Sequence, residues 1–313
     1  MITSYYFVNR ATDREDPKPV DTTTQQEKPV EEKKYTLAAV GDIACTAGSE
    51  QTANSCQMDS VVNALTLADP DKILILGDLQ YDRGTVEEFT SAFQPLWTNL
   101  KSKSYAVPGN HEYMTPKAAG YFNYWNESEP TSFQAGDADK GYYSFNFGNW
   151  HIIALNSNCE FIDGCDPASP QGQWLQKDIR KYRNRCSLAF WHHPPYSSGK
   201  YANKEAELAK GQELWRTVNA SGSEIVLNGH DHIYERLAPR ATSGVIDERG
   251  TRQFIVGTGG RILYPIKTIH PASEYAQDKQ FGFLLLTLKF KSYDWKYVTT
   301  DNQVLDSGSA QCY

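Results

Sequence analysis

Five short apolar runs in this chain each stop beside a residue able to hold a cation. Residues 36–40 end at Gly41-Asp42, and 73–76 at Gly77-Asp78. Residues 105–107 lead into Pro108-Gly109-Asn110-His111-Glu112, 188–190 into Trp191-His192-His193, and 225–227 into Asn228-Gly229-His230-Asp231-His232. Runs of that length read as buried strands. Stretches of helical spacing, 58–67 and 86–100, separate the first three. Strand, helix, strand, helix, strand with buried-type strands predicts a largely parallel sheet. Open sheets of this kind keep their ligands outside the carboxyl ends of the strands, where all five polar segments fall.

The middle of the chain changes character. Residues 142–147 and 150–155 read as a β-hairpin turning at Gly148-Asn149. His151 inside it reads as a partly buried strand histidine. Helices are predicted near 171–182 and 203–218, and the last strands at 254–256, 283–290 and 293–298. These elements predict one domain over 35–313, with two sheets in contact and helices outside. Residues 9–34 are Thr, Gln, Glu, Lys, Asp and Pro with almost no large apolar side chain. We expect residues 1–34 to form a disordered polar tail or linker.

Composition excludes several classes. A net charge of -7 without a basic stripe argues against a nucleic-acid partner. No apolar run is long enough for a transmembrane segment, and the amino terminus lacks a signal-peptide core. Six cysteines form no Cys-x-x-Cys pattern. Cys45 and Cys56 flank one Gly/Ser/Asn-rich loop, and Cys159 and Cys165 another loop. An even count, paired locally, favours three disulfides and a secreted, periplasmic or cell-surface protein. Six reduced thiols in a cytosolic enzyme is the alternative.

The residues at the strand ends are Asp42, Asp78 with Tyr81, Asn110 with His111, His192, and His230 with His232. All are oxygen or nitrogen donors, and five of the seven histidines of the chain lie in these segments. That is too many ligands for one four-coordinate zinc. It suits two cations sharing a carboxylate, an arrangement that clamps attacking and leaving oxygens in phosphoryl displacement.

Gly-Asp, Gly-Asp, Gly-Asn-His-Glu, a strand-end His and Gly-His-x-His, in that order, resemble the calcineurin-like metallophosphoesterases. Within that superfamily the chain is most similar to purple acid phosphatases and related bacterial secreted phosphatases. The resemblance implies an α/β fold, a four-layer α/β/β/α sandwich of two mixed β-sheets flanked by helices. One branch-specific exchange is visible. Most of the superfamily has Asp-x-His in the first motif, where this chain has Asp42-Ile43-Ala44. Purple acid phosphatases fill the gap with a tyrosine three residues after the second aspartate, and Tyr81 occupies that place.

The resemblance implies a binuclear centre. One metal takes Asp42, Tyr81 and His232, the other Asn110, His192 and His230, and Asp78 bridges. Phenolate is a hard donor that favours Fe(III), with Fe(II), Zn(II) or Mn(II) beside it. A metal-bound hydroxide would attack phosphorus in line, and His111 would bind the phosphate or protonate the leaving group. The implied function is hydrolysis of phosphate monoesters on a small molecule or a protein. A phosphodiesterase with two divalent metals and a non-catalytic surface binding protein are the alternatives. The family's histidines in the loop after the His192 strand are missing here. His193, Tyr196 and Lys200 are then the candidate substrate contacts, with Glu235 and Arg236 bracing. The family also implies a Cys186–Cys312 bridge and a Cys45–Cys56 bridge behind Asp42. Gly257–Gly260 lacks a following Lys-Ser/Thr and reads as a tight packing loop, not a nucleotide cradle.

Overall fold

The computed structural model describes residues 1–5, 33–126, 134–183 and 185–313. The chain divides into units Met1–Glu31 and Glu32–Tyr313. The tail expected over 1–34 falls, for residues 6–32, outside the described residues.

The second unit begins with β1 (Tyr35–Val40), α1 (Met58–Ala68) and β2 (Lys72–Ile75). A helical stretch follows, α2 (Val86–Glu88) and α3 (Gln94–Trp97) joined by one wide turn, and then β3 (Ser104–Ala106) and α4 (Ala119–Asn126). The hairpin β4 (Tyr143–Phe147) and β5 (Trp150–Ala154) comes next. After it run α5 (Pro170–Tyr182), β6 (Cys186–Phe190), α6 (Glu205–Ala220) and β7 (Ile225–Asn228). The chain ends in β8 (Tyr234–Leu237), β9 (Arg252–Val256), β10 (Ser273–Gln277), β11 (Gly282–Leu288), β12 (Ser292–Thr299) and β13 (Val304–Gln311).

Two mixed sheets result. One has the order β13-β12-β11-β1-β2-β3 and the other β10-β8-β9-β7-β6-β5-β4. Strands β1, β2 and β3 are parallel, and so are β5, β6, β7 and β9. Side chains alternate across a strand, and this sets the layers. Leu37 and Ala39 of β1 join Leu188, Phe190 and Leu227 of the second sheet in the core between the sheets. Ala38 and Val40 face the other way, onto Val61 and Leu65 of α1. Ala189 and Val226 pack outward on Leu175 of α5 and Leu214 of α6. The four layers are therefore helix, sheet, sheet, helix, the expected α/β sandwich. Among the described residues no helix is long and apolar enough to cross a membrane.

Three strands carry no apolar signal in the sequence: β8, β10 and β13. In β13 the inward position Asp306 accepts hydrogen bonds from Tyr234 Oη at 2.7 Å and Arg236 Nε at 2.9 Å. A buried ion pair there replaces the apolar alternation on which strand recognition depends. The six cysteines form Cys45–Cys56, Cys159–Cys165 and Cys186–Cys312. The last joins the start of β6 to the exit of β13.

Candidate metal centre

Crowding at the strand ends explains the glycines in front of the polar residues. A Cβ on Gly109 would stand 2.1 Å from Asp78 Oδ1, and one on Gly77 would stand 2.5 Å from His192 Nδ1. The adjacent residues take the left-handed backbone that side chains disfavour: Asp42 at φ 60, Asp78 at φ 48 and His230 at φ 68. Each is pinned there. Asp42 N donates to Gly77 O at 3.1 Å, Asp78 N to Glu112 Oε2 at 3.0 Å, and His230 N to Asp42 Oδ2 at 2.9 Å.

These turns bring the seven expected ligands together. Tyr81 Oη lies 3.0 Å from Asp42 Oδ1, 2.9 Å from Asp78 Oδ2 and 3.0 Å from His232 Nε2. His192 Nε2 lies 3.2 Å from Asn110 Oδ1, 3.2 Å from His230 Nδ1 and 3.4 Å from Asp78 Oδ2. Asp78 thus touches both groups, one around Tyr81 and one around His192. Asn110 is half-buried, and the other six side chains are buried.

Backbone carbonyls set the imidazole tautomers. His192 donates its Nδ1–H to Leu76 O at 2.8 Å, and His232 donates its own to Ile262 O at 2.7 Å. Each Nε2 lone pair is left facing the cluster, the usual way an outer partner orients a metal-binding histidine. His230 presents Nδ1 inward. Its Nε2 is buried without a hydrogen bond and lies 3.7 Å from Glu207 Oε2.

The electrostatics match. Burial opposes charge on Asp78, yet His192 and His111 beside it hold its carboxyl well below the ordinary range. Burial also opposes charge on His192, but Asp78 outweighs it and lifts the imidazole to about 9. Burial, then the Asp42 and Asp78 charges, keep the Tyr81 phenol well above its usual range. Burial and the His192 charge hold His230 well below its own. Buried carboxylates thus make the cluster a negative field, strong enough to hold a positive charge on His192, which a cation satisfies. Oxygen and nitrogen donors in two sets around one shared carboxylate fit two metals rather than one.

The other expected residues sort clearly. His111 packs at a tilt of 49° against Tyr81, with ring centroids 4.2 Å apart. It donates Nδ1–H to Asp82 O at 2.5 Å and turns Nε2 toward Asp78 Oδ2 at 3.9 Å. His193 is buried, bonded through Nδ1 to Ser157 Oγ at 2.8 Å, with Nε2 at 3.7 Å from Glu207. Tyr196 is not brought to the cluster. Its ring lies under the Arg240 guanidinium at 3.7 Å and against Trp215. Glu235 accepts from Ser198 N at 2.8 Å and so braces the loop after His192, whereas Arg236 pairs with Asp306 and ties β8 to β13. Gly257 packs on Asp42 and Asp231, where a Cβ would stand 2.8 Å from Asp42 Oδ2.

Sequence reasoning missed four residues. Glu112, fully buried, accepts backbone N–H groups from Asp78, Leu79, Gln80 and Gly109 at 2.7–3.2 Å. It stands inside the quoted Gly-Asn-His-Glu motif, and that position was its signal. Tyr201 stacks on His230 at 4.2 Å and Tyr264 on His232 at 4.3 Å. These two and Glu207 lie on segments whose approach to the site no local pattern announces.

Known proteins resemble this chain in sequence and in fold. The family model described as calcineurin-like phosphoesterase matches residues 35–234. Purple acid phosphatase 15 of Arabidopsis thaliana is 29% identical over 252 residues, 72% of this chain and 44% of that protein. Purple acid phosphatase 1 of Ipomoea batatas is 25% identical over 303 residues, 85% of this chain and 59% of that protein. The chain thus spans about half the length of the curated relatives it matches. Among solved structures, purple acid phosphatase PPD1 from yellow lupin (Lupinus luteus) seeds superposes with a TM-score of 0.75. It is 18% identical, over 90% of this chain and 54% of that one, which speaks for the fold. With 200 of its 313 residues inside the family model, the chain belongs to the calcineurin-like phosphoesterase family.

Proposed function

We propose that this chain is a metal-dependent phosphatase that hydrolyses phosphate monoesters at a binuclear centre. Asp42, Tyr81 and His232 hold one cation, Asn110, His192 and His230 the other, and Asp78 both. The observation that carries the reading is the pair of backbone carbonyls, Leu76 O and Ile262 O, that aim the His192 and His232 Nε2 lone pairs at Asp78 and Tyr81. Two cations bound there supply Lewis acidity and a water of lowered pKa. The phenol of Tyr81 favours Fe(III) at its site, with Fe(II), Zn(II) or Mn(II) at the other.

The chain's own residues do the rest. Burial keeps bulk water from the donor atoms, so charges there act in a low dielectric. His111, oriented by Asp82 O, turns Nε2 toward the shared carboxylate, where it is placed to pass a proton to the leaving oxygen. Three disulfides fit an oxidising compartment outside the cytosol.

The test is metal content and turnover of the iron- and zinc-loaded protein, with p-nitrophenyl phosphate against its bis-ester. We expect about two metals per chain and a faster monoester reaction. Asp78→Asn should lose turnover by roughly a thousandfold or more and lose metal while keeping its circular dichroism. Two bound metals with no turnover, a faster diester, or a fully active Asp78→Asn would refute the reading.

A further inference from the structure

A cavity of about 390 Å³ opens beside the candidate centre, walled by Ser198, Gly199, Lys200, Tyr264, Lys267 and Thr268. It is not remote from the chemistry. Tyr264 is one wall of the cavity, and its ring stacks on His232 at 4.3 Å and 18°. Its N–H donates to His232 O at 3.2 Å. Gly199, a second wall, packs so closely on Asp231, the residue between His230 and His232, that a Cβ would stand 2.4 Å from its carboxyl carbon. Cavity and centre therefore share a partition one aromatic ring thick.

Two lysines, Lys200 and Lys267, bring positive charge to the cavity. Lys200 Nζ stands 4.1 Å from the Tyr264 ring centroid and 5.4 Å from that of Tyr201, which in turn stacks on His230. Lys204 Nζ lies 4.8 Å from the Tyr201 centroid. Among the described residues no carboxylate pairs with Lys200, Lys204 or Lys267. In a chain of net charge -7, the two lysines that line this cavity, Lys200 and Lys267, select an anion. The volume suits a small molecule rather than a polymer, and lysine binds phosphate as a mobile point charge.

We propose that Lys200 and Lys267 bind a second phosphate group on the substrate, so that small molecules carrying two or more phosphates are the preferred class. This rests on the phosphatase reading above. One phosphate sits at the metal cluster, the body of the molecule passes the Tyr264 and Tyr201 rings, and the other phosphate lies between the lysines. A monoester with an uncharged leaving group leaves those lysines unused.

The experiment compares the metal-loaded wild type with Lys200→Met/Lys267→Met and with Lys200→Arg/Lys267→Arg. Substrates are phenyl phosphate, adenosine 3′,5′-bisphosphate and fructose 1,6-bisphosphate. Binding of propane-1,3-bisphosphonate against propylphosphonate is read by calorimetry at two salt concentrations. We expect the methionine pair to lower kcat/KM for a bisphosphate at least tenfold more than for phenyl phosphate, chiefly through KM, and the arginine pair to restore it. The wild type should bind the bisphosphonate at least tenfold more tightly than the monophosphonate, with an advantage that shrinks in salt and in the methionine pair. A gain confined to one bisphosphate assigns the pocket to nucleotides or to sugar phosphates. Equal losses on all substrates, or equal affinity for the two phosphonates, overturn the proposal and leave the phosphatase reading standing. Lysine-dependent bisphosphonate binding without any turnover supports the pocket and sinks the phosphatase reading instead.

Discussion

The phenol oxygen of Tyr81 stands 3.0 Å from Nε2 of His232, although 151 residues separate them. Asp42 and Asp78 approach the same oxygen, so the tyrosine is the hub of its half of the cluster. Protein loaded with iron in air should show a visible charge-transfer band that Tyr81→Phe abolishes. Absorption spectra of both, with iron analysis, check this. A band that survives the substitution removes Tyr81 from the iron site.

Glu112 gives a stability prediction. Its carboxylate takes four backbone N–H groups that hold the Asp78 and Asn110 turns against each other. Truncation strands those donors in a buried place, at a cost on the order of 3 kcal/mol or more. Glu112→Ala should lower the urea midpoint far more than Glu112→Gln, which keeps one acceptor oxygen. Equal, small shifts in the two variants would contradict the brace.

Glu207 lies 3.7 Å from the unpartnered Nε2 atoms of both His193 and His230. A carboxylate behind a metal-binding imidazole raises its basicity, and its loss costs roughly 10–100-fold in metal affinity. Glu207→Ala should weaken one of the two metals by that factor and leave the Tyr81-dependent band in place. Competition with a chelator measures the first and absorbance the second. Unchanged affinity for both metals would make Glu207 a bystander.

How legible was all this in sequence? The strand-end motifs announce themselves, because a ligand after a glycine after an apolar run is a local pattern. Asp42, Asp78, Asn110 and His230 follow such a glycine, and His192 and His232 stand at or just beyond a strand end, so all six were read as candidate ligands from local pattern. Tyr81 needed a comparison with its family, since a lone tyrosine reads as core. Tyr201, Tyr264 and Glu207 stayed hidden because stacking across loops and helix-to-loop approach leave no periodicity. Strands β8, β10 and β13 escaped for a related reason. Their inward positions hold Arg236, Asp306 and tyrosines in polar contacts where the alternation rule expects aliphatics.

Glu224, at the start of β7 and so at the opposite end of that strand from His230, makes stability depend on pH. Burial pushes its carboxyl up to about 7, against an ordinary 4.5, even though Ser187 N donates to it at 2.6 Å. The folded state holds the proton more tightly, so stabilisation by protonated Glu224 is complete below pH 4.5. It fades as pH rises through 7, by on the order of 3 kcal/mol. Glu224→Gln should flatten that part of the stability curve, measured by urea unfolding between pH 4.5 and 8. An unchanged slope would mean that Glu224 titrates normally.

The Cys186–Cys312 bridge turns residues 186–312 into a closed covalent ring, with His192, His230 and His232 all inside it. The turn bearing the exposed Val245 and Ile246 lies in the same ring. A protease that cuts there opens the ring into a single thread instead of releasing a fragment. Nicked molecules therefore keep every imidazole on one covalent body, and the cut becomes visible as two bands only after reduction.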